Sequence, residues 1–238
     1  MRPLYTWAAV YLTSMNLRYK NHLRPLLSPA ERRVFKKLST PERVQDYLEA
    51  LPHNFSKKAG ETCRSVRQIL RKRRAYCFEG ALFAAAALAY HGKPLLLMDL
   101  QTTNDDEDHV VALFSVQDRS ASGGKERKLW GALSKTNNPV LRWRDPVYTS
   151  VRELAMSYFH EYFLYKDGQK TLRAYSRPFD LTKYKPEVWV TGGGSLAFIA
   201  EALDASPHFP ILPRNKIVRL RNATVIERKV LDLEEWKK

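Results

Sequence analysis

The sequence predicts a mixed α+β fold, and two features of its central third support that prediction. Residues 77–90 contain no proline and carry the run Ala84 to Ala87, the best helix-forming residue type, so they indicate a buried helix. Three apolar stretches follow, at residues 94–101, 108–114 and 128–134, and their lengths and flanking turn residues are typical of strands. One helix and three strands in this central third indicate the α+β class.

The helix at residues 77–90 has a predicted start and a predicted end. Gly92 and Pro94 indicate that it ends near His91, because glycine adopts the left-handed conformation and proline cannot continue a helix. Cys77 falls in its first turn, where unpaired N–H groups favour an anion. Such a position lowers the pKa of a thiol. The basic residues 71–74 are expected to act in the same direction. The alternative is an inert, buried cysteine.

Two further polar residues fall at strand ends. His109 begins the second predicted strand, and Ser134 ends the third. A cysteine at a helix start, a histidine and a polar residue are the nucleophile, base and orienting group that thiol catalysis requires.

These residues resemble the transglutaminase-like branch of the papain-like cysteine enzymes. That family has a catalytic cysteine opening a helix, a Gly-x-Pro at the helix end, a histidine on a following strand and a Trp-x-x-x-Asp on the next. Cys77, the Gly92-Lys-Pro94 segment, His109 and the segment Trp130-Gly-Ala-Leu-Ser134 match in order and approximate spacing. The resemblance covers roughly residues 42–140. It implies a papain-like core in which the nucleophile helix packs on an antiparallel sheet.

The chain departs from the family at one position. Ser134 stands where the family has an aspartate, and a serine stabilises an imidazolium far less than a carboxylate does. Asn137 could supply an orienting amide instead. Either Ser134 or Asn137 is therefore the expected partner of His109. If neither side chain reaches His109, we expect the protein to have the fold of the family but not efficient catalysis.

Composition limits the possible functions. The chain has 238 residues and 44% hydrophobic residues, enough for a substantial core. Its net charge of +15 makes nucleic-acid association possible, but no nucleic-acid-binding motif accompanies that charge. Two cysteines, Cys63 and Cys77, form no disulfide framework, and no segment is apolar enough to span a membrane. A cytoplasmic location is expected.

The sequence offers two further candidate sites. The acidic run at residues 105–108 beside His109 could bind a divalent ion, but consecutive loop side chains rarely converge and a solvated loop is preferred. Gln68, ahead of the cysteine, is a remote candidate for an oxyanion donor. No metal or cofactor is expected.

The remaining segments are predicted to extend the core. Residues 1–38 are expected to form an N-terminal arm with a short helix, and residues 141–238 a helical and strand extension. Within that extension, residues 150–163 indicate one long helix with a capping box, residues 187–190 a short strand, and residues 215–238 a strand pair or a strand plus a helix.

The sequence therefore predicts a single domain over residues 1–238, with its core at about 42–140. The expected function is a transglutaminase-like thiol enzyme, a hydrolase or an acyltransferase, acting on an amide, peptide or acyl bond of a peptide or protein. Cys77 would attack the carbonyl, His109 would move the proton, and Ser134 or Asn137 would orient the imidazole. The alternatives are a catalytically impaired peptide- or protein-binding module and a basic nucleic-acid-associated protein.

Overall fold

The computed structural model describes residues 5–55, 62–118, 126–217, 219–233 and 235, with side chains described from residue 14 onward. Within these ranges the protein is a mixed α+β structure whose strands form one antiparallel sheet. Its α-helices are α1 Tyr5–Leu26, α2 Pro29–Lys37, α3 Pro41–Ala50, α4 Val66–Lys72, α5 Cys77–Tyr90, α6 Val151–Met156, α7 Pro186–Trp189, α8 Ala197–Asp204, α9 Arg214–Ile217 and α10 Val225–Arg228. Its strands are β1 Leu96–Gln101, β2 His109–Asp118, β3 Arg127–Leu133, β4 Arg144–Tyr148, β5 Ala174–Ser176, β6 Phe179–Asp180 and β7 His208–Pro210.

The predicted α+β class is confirmed, and the three predicted central strands are neighbours in the sheet. The strand order is β4, β3, β2, β1, β5, β7, and the short β6 also pairs with β1. Every pairing is antiparallel. In the register of β1 and β2, Leu100 lies opposite His109, so the first residue of β2 lies near the end of β1.

Helix α5 is the buried helix that the alanine run predicted. All of its residues are buried, and it packs against β2. Its end has the geometry expected of a glycine stop: Gly92 adopts a φ of 76°, the Lys93 N–H donates to the Leu88 carbonyl at 2.9 Å, and the Gly92 N–H donates to the Ala89 carbonyl at 2.9 Å. These bonds satisfy carbonyls that the helix itself leaves unpaired.

The two faces of the sheet pack against different hydrophobic clusters. Along β2, Val110, Ala112 and Phe114 join the cluster that contains α5, whereas Val111 and Leu113 join the cluster on the other face. This alternation is the period of two that a strand imposes on its side chains. It places the first residue of β2, His109, on the same side as Val111 and Leu113.

The long helix predicted over residues 150–163 is wrong. Helix α6 ends at Met156, and a separate 3₁₀ turn covers Phe159–Glu161. At the break, the Ser157 hydroxyl donates to the Leu154 carbonyl at 2.7 Å and accepts from Arg144 Nε at 2.9 Å. Arg144 thus contacts Ser157 at the point where the predicted helix would have continued. The spacing of apolar residues along the helix cannot predict such a contact.

Other parts of the extension also differ from the predictions. Residues 187–190 were expected to form a strand, but Pro186 opens helix α7 there because proline fits the first helical turn. The described part of residues 215–238 holds helices and turns and no strand. The N-terminal arm forms two helices, α1 and α2, in place of one short helix. None of the helices in the described ranges combines the length and apolarity that crossing a membrane requires.

Helix α5 approaches the end of β3 closely at Gly80. A Cβ built on Gly80 would lie 2.2 Å from the Cβ of Lys135, far inside any normal contact. Lys135 is itself buried, so it has little room to retreat. Glycine at this position therefore allows the chain after β3 to pass against the first turns of α5.

Gly80→Ala should lower the free energy of unfolding by about 1–3 kcal/mol, because the clash outweighs the gain in helix propensity. Urea unfolding followed by circular dichroism measures the change. Gly194→Ala is the matched control, since a Cβ there meets nothing within 4 Å. Equal stability of the two variants would show that the contact at Gly80 imposes no constraint.

Candidate active site

One cleft contains most of the residues that the sequence singled out. It has a volume of about 640 Å³ and is lined by Cys77, His109 and Asn137, among other residues. Cys77 comes from the first residue of α5 and His109 from the first residue of β2. The structure therefore brings the predicted nucleophile and the predicted base to one solvent-accessible cavity.

The start of helix α5 is fixed by a buried carboxylate. Glu79 accepts hydrogen bonds from the Tyr76 N–H at 3.0 Å, the Arg64 N–H at 3.1 Å and the Thr62 hydroxyl at 2.7 Å. Burial nevertheless raises the pKa of Glu79. Because its ionised form occupies the positive end of the helix, this carboxylate opposes the formation of a second negative charge on Cys77.

The basic residues 71–74 do not form part of the site. All four are exposed, and none of them lines the cleft. Water and salt screen such charges strongly. The expectation that they lower the pKa of the Cys77 thiol stays a prediction, and exposed charges outside the cleft can contribute to it only weakly. Arg73 adopts the left-handed conformation, at φ 53°.

His109 hydrogen-bonds Ser134. The distance between His109 Nε2 and the Ser134 hydroxyl is 2.5 Å, and both residues are buried. The amide of Gln45 on α3 holds the Ser134 backbone, since its oxygen accepts from the Ser134 N–H and its nitrogen donates to the Ser134 carbonyl, each at 3.0 Å. The serine is thus a positioned partner for the ring, and it contacts Nε2 rather than Nδ1.

Asn137 lies in the wall of the same cleft. The hydrogen bond of His109 Nε2 goes to Ser134 and not to this amide. Of the two candidate orienting groups, Ser134 therefore contacts the ring nitrogen, and Asn137 is placed where it can contact a bound molecule.

The surroundings of His109 keep its imidazole neutral. Burial, followed by the nearby positive charges of His53 and Arg144, lowers the pKa of His109 to about 3. A neutral imidazole can accept a proton from a thiol, whereas the thiolate–imidazolium pair of many thiol enzymes requires stabilisation of the charged ring. Ser134 provides little of that stabilisation, so the His109 imidazole is neutral at neutral pH.

Sequence reasoning missed several residues of the cleft. His53 stands in its wall with a ring centroid 4.4 Å from that of Phe55, on a segment that pairs with Ala75 just before the cysteine. Residues 231–233 also line the cleft. No local motif marks these positions, because each arrives through long-range contacts of the fold. Tyr162 lines the cleft too, from the segment after α6.

The cleft lining is acidic although the chain carries a charge of +15. The described residues that line it include five carboxylates and one lysine; the acids are Asp106, Glu107, Asp108, Glu161 and Asp232, and the base is Lys135. A smaller adjoining cleft of about 350 Å³ shares Cys77 and the acids at 106–108, and adds Asp99 and Asp204. Both sides of the cysteine therefore present negative charge.

The acidic run beside His109 is held by local hydrogen bonds. Asp108 accepts from the Thr102 N–H at 2.7 Å and from the Thr102 hydroxyl at 2.9 Å, and Asp106 accepts from the Thr171 hydroxyl at 2.5 Å. Across the described ranges, no three His, Cys, Asp or Glu side chains converge as ligands of a metal ion.

Comparison of the chain with models of known protein families and with curated proteins gives no match.

His109 should make the folded protein sensitive to acid. The unfolded chain protonates this imidazole near pH 6.5, whereas the folded protein does so only near pH 3. Between these values the proton favours the unfolded state, so the free energy of unfolding should fall by about 1.4 kcal/mol per pH unit from this group alone. Urea unfolding at pH 6.5, 5.5 and 4.5 measures the slope.

His109→Gln is the matched variant, because glutamine can still hydrogen-bond Ser134 and does not titrate. The stability difference between the wild type and this variant should shrink as the pH falls from 6.5 to 4.5. Parallel pH dependences would mean that the folded protein protonates His109 normally.

Proposed function

We propose that this protein is a thiol enzyme with a papain-like, transglutaminase-like core that acts on an amide, peptide or acyl bond. One observation supports the proposal above the others: a histidine oriented by Ser134 lines the same cleft as a cysteine at the start of a buried helix. Nucleophile, base and orienting group are the minimum that acyl transfer through sulfur requires.

In the proposed reaction, His109 Nδ1 takes the proton of the Cys77 thiol as the sulfur attacks the carbonyl carbon. A C–S bond forms, and the π electrons of the carbonyl move to its oxygen. When this intermediate collapses, the leaving group departs with the proton from His109, and an acyl-enzyme remains. Water as the acceptor completes a hydrolysis, and an amine completes a transfer.

The charge of the cleft favours a peptide or protein substrate over a nucleic acid. Carboxylates predominate on both sides of Cys77, and they would repel a phosphate backbone. They would instead attract basic side chains of a polypeptide near the bond that reacts. The net positive charge of the chain therefore lies elsewhere than at the proposed active site.

Alkylation by iodoacetamide tests the thiol–base pair. His109→Ala should slow alkylation of Cys77 at pH 7 by about tenfold or more, because the neutral imidazole would no longer accept the thiol proton. Peptide mass mapping after a timed reaction measures Cys77 and Cys63 separately. Cys63 serves as an internal control, since its rate should not change.

p-Nitrophenyl acetate provides the second readout, because it requires attack on a carbonyl. The wild type should release nitrophenol and acquire an acetyl group on Cys77, and Cys77→Ser should not. A Cys77 that reacts no faster than Cys63, with or without His109, would contradict the proposed enzyme.

A catalytically impaired member of the same class is the second candidate function. It is favoured by the serine in place of a carboxylate beside His109 and by the low pKa of that imidazole. Such a protein would keep the cleft for binding a peptide or protein, and its Cys77 would react as an ordinary thiol with a pKa of about 8.5.

Ser134→Asp measures what the missing carboxylate contributes. A carboxylate beside Nε2 should raise the pKa of His109 and stabilise the imidazolium, so alkylation of Cys77 at pH 7 should accelerate by about tenfold or more. Ser134→Asn is the control, since it has the same shape without the charge. Equal rates in the two variants would show that the charge on the ring does not limit Cys77.

A further inference from the structure

Attack of a thiol on a carbonyl places negative charge on the carbonyl oxygen, and an enzyme needs hydrogen-bond donors aimed at that oxygen. Gln68, the candidate from the sequence, is occupied elsewhere. Its amide nitrogen donates to the Gly193 carbonyl at 2.8 Å, and its amide oxygen accepts from the Ser65 N–H at 2.9 Å. Gln68 does not line the cleft. A donor for the oxyanion has to come from another part of the fold.

Tyr162 lines the cleft and has a hydroxyl group without a hydrogen-bond partner in the described residues. The residue is 4% exposed and lines the cavity that holds Cys77 and His109. Its hydroxyl is buried and has no hydrogen-bond partner within the described part of the chain. Leaving a buried hydroxyl without a partner costs about 1–3 kcal/mol, so such a group in a folded protein calls for a functional explanation.

The Tyr162 hydroxyl also interacts electrostatically with Cys77. Burial raises the pKa of Tyr162 well above its usual value, and a negative charge on Cys77 raises it further. The phenol therefore keeps its proton throughout the neutral range. Next to developing negative charge, it can act only as a hydrogen-bond donor.

The position of the ring is fixed before any substrate binds. The Tyr162 carbonyl accepts from the Thr171 N–H at 3.1 Å, and the ring packs in the hydrophobic cluster on the sheet face opposite α5. The preceding residue, Glu161, is anchored by an ion pair with Arg144.

We propose that the Tyr162 hydroxyl donates a hydrogen bond to the carbonyl oxygen of the acyl substrate as Cys77 attacks it. The O–H bond of Tyr162 stays intact, and the hydrogen bond strengthens while the carbonyl π electrons become the oxyanion. This inference rests on the proposed function, since it assigns a role within that reaction.

Tyr162→Phe removes only the hydroxyl oxygen and tests the proposal with two reagents. Acylation of Cys77 by p-nitrophenyl acetate should slow by about 10²–10³-fold, because that reaction forms an oxyanion. Alkylation by iodoacetamide should stay within about twofold, because displacement at a saturated carbon forms none. Loss of an unpaired buried hydroxyl should leave the fold intact, which thermal unfolding checks.

Tyr158→Phe is the matched control. The Tyr158 hydroxyl is likewise buried without a hydrogen-bond partner in the described residues, but Tyr158 does not line the cleft, so the variant should retain both rates. Unchanged acylation in Tyr162→Phe, or an equal loss of both rates, would overturn the oxyanion role; the second result would place the hydroxyl in activation of the thiol. Both of these outcomes leave the His109 dependence of Cys77 alkylation standing. Loss of that dependence in the wild type would instead overturn the proposed function.

Discussion

The close approach of helix α5 to the chain that leaves β3 is the constraint on which the site depends. The approach occurs at Gly80, where any Cβ would collide with Lys135. It sets the position of Ser134, one residue earlier, relative to the first turn of the same helix. The Gln45 amide then fixes the Ser134 backbone from a third element, α3. Helix, strand end and second helix together hold the hydroxyl that His109 contacts.

The electrostatics of the cleft disfavour a preformed thiolate–imidazolium ion pair of Cys77 and His109. A thiolate would be disfavoured by the buried Glu79 at the helix start and by the acids of the cleft wall. An imidazolium would be disfavoured by burial and by the charges of His53 and Arg144. The site therefore disfavours the imidazolium directly, and its carboxylates oppose a negative charge on the sulfur. In the proposed reaction, proton transfer would then accompany attack on the substrate, when the negative charge moves to the carbonyl oxygen.

Local signals predicted the parts of the structure that local interactions determine. The alanine run and the glycine stop placed α5 almost to the residue, and β-strand patterns placed β1 to β3. They failed at two places. Arg144, which is distant in the sequence, binds Ser157 just after α6 ends, and Pro186 directly before the predicted strand starts a helix in a segment whose Val-Trp-Val composition favours a strand. Helical and strand propensities are weak compared with such contacts.

Local sequence signals and long-range contacts also identified different residues of the candidate site. Cys77, His109 and Ser134 could be proposed from order and spacing along the chain. Gln45 and Ser134 are 89 positions apart, and a side-chain amide that clamps a backbone leaves no pattern in the sequence. His53 likewise reaches the cleft from a segment with no motif, so only the fold identifies it.

The two faces of the sheet contribute different parts of the proposed machinery. The cluster around α5 carries the helix that presents the thiol, and the cluster on the opposite face carries Tyr162. His109 belongs to the latter face by its position in β2, and it begins the strand at the edge that Cys77 also reaches. A cleft at that edge can receive a nucleophile from one layer and a donor and a base from the other. Each layer keeps its own apolar packing, so the polar groups meet only where the sheet ends and water can enter.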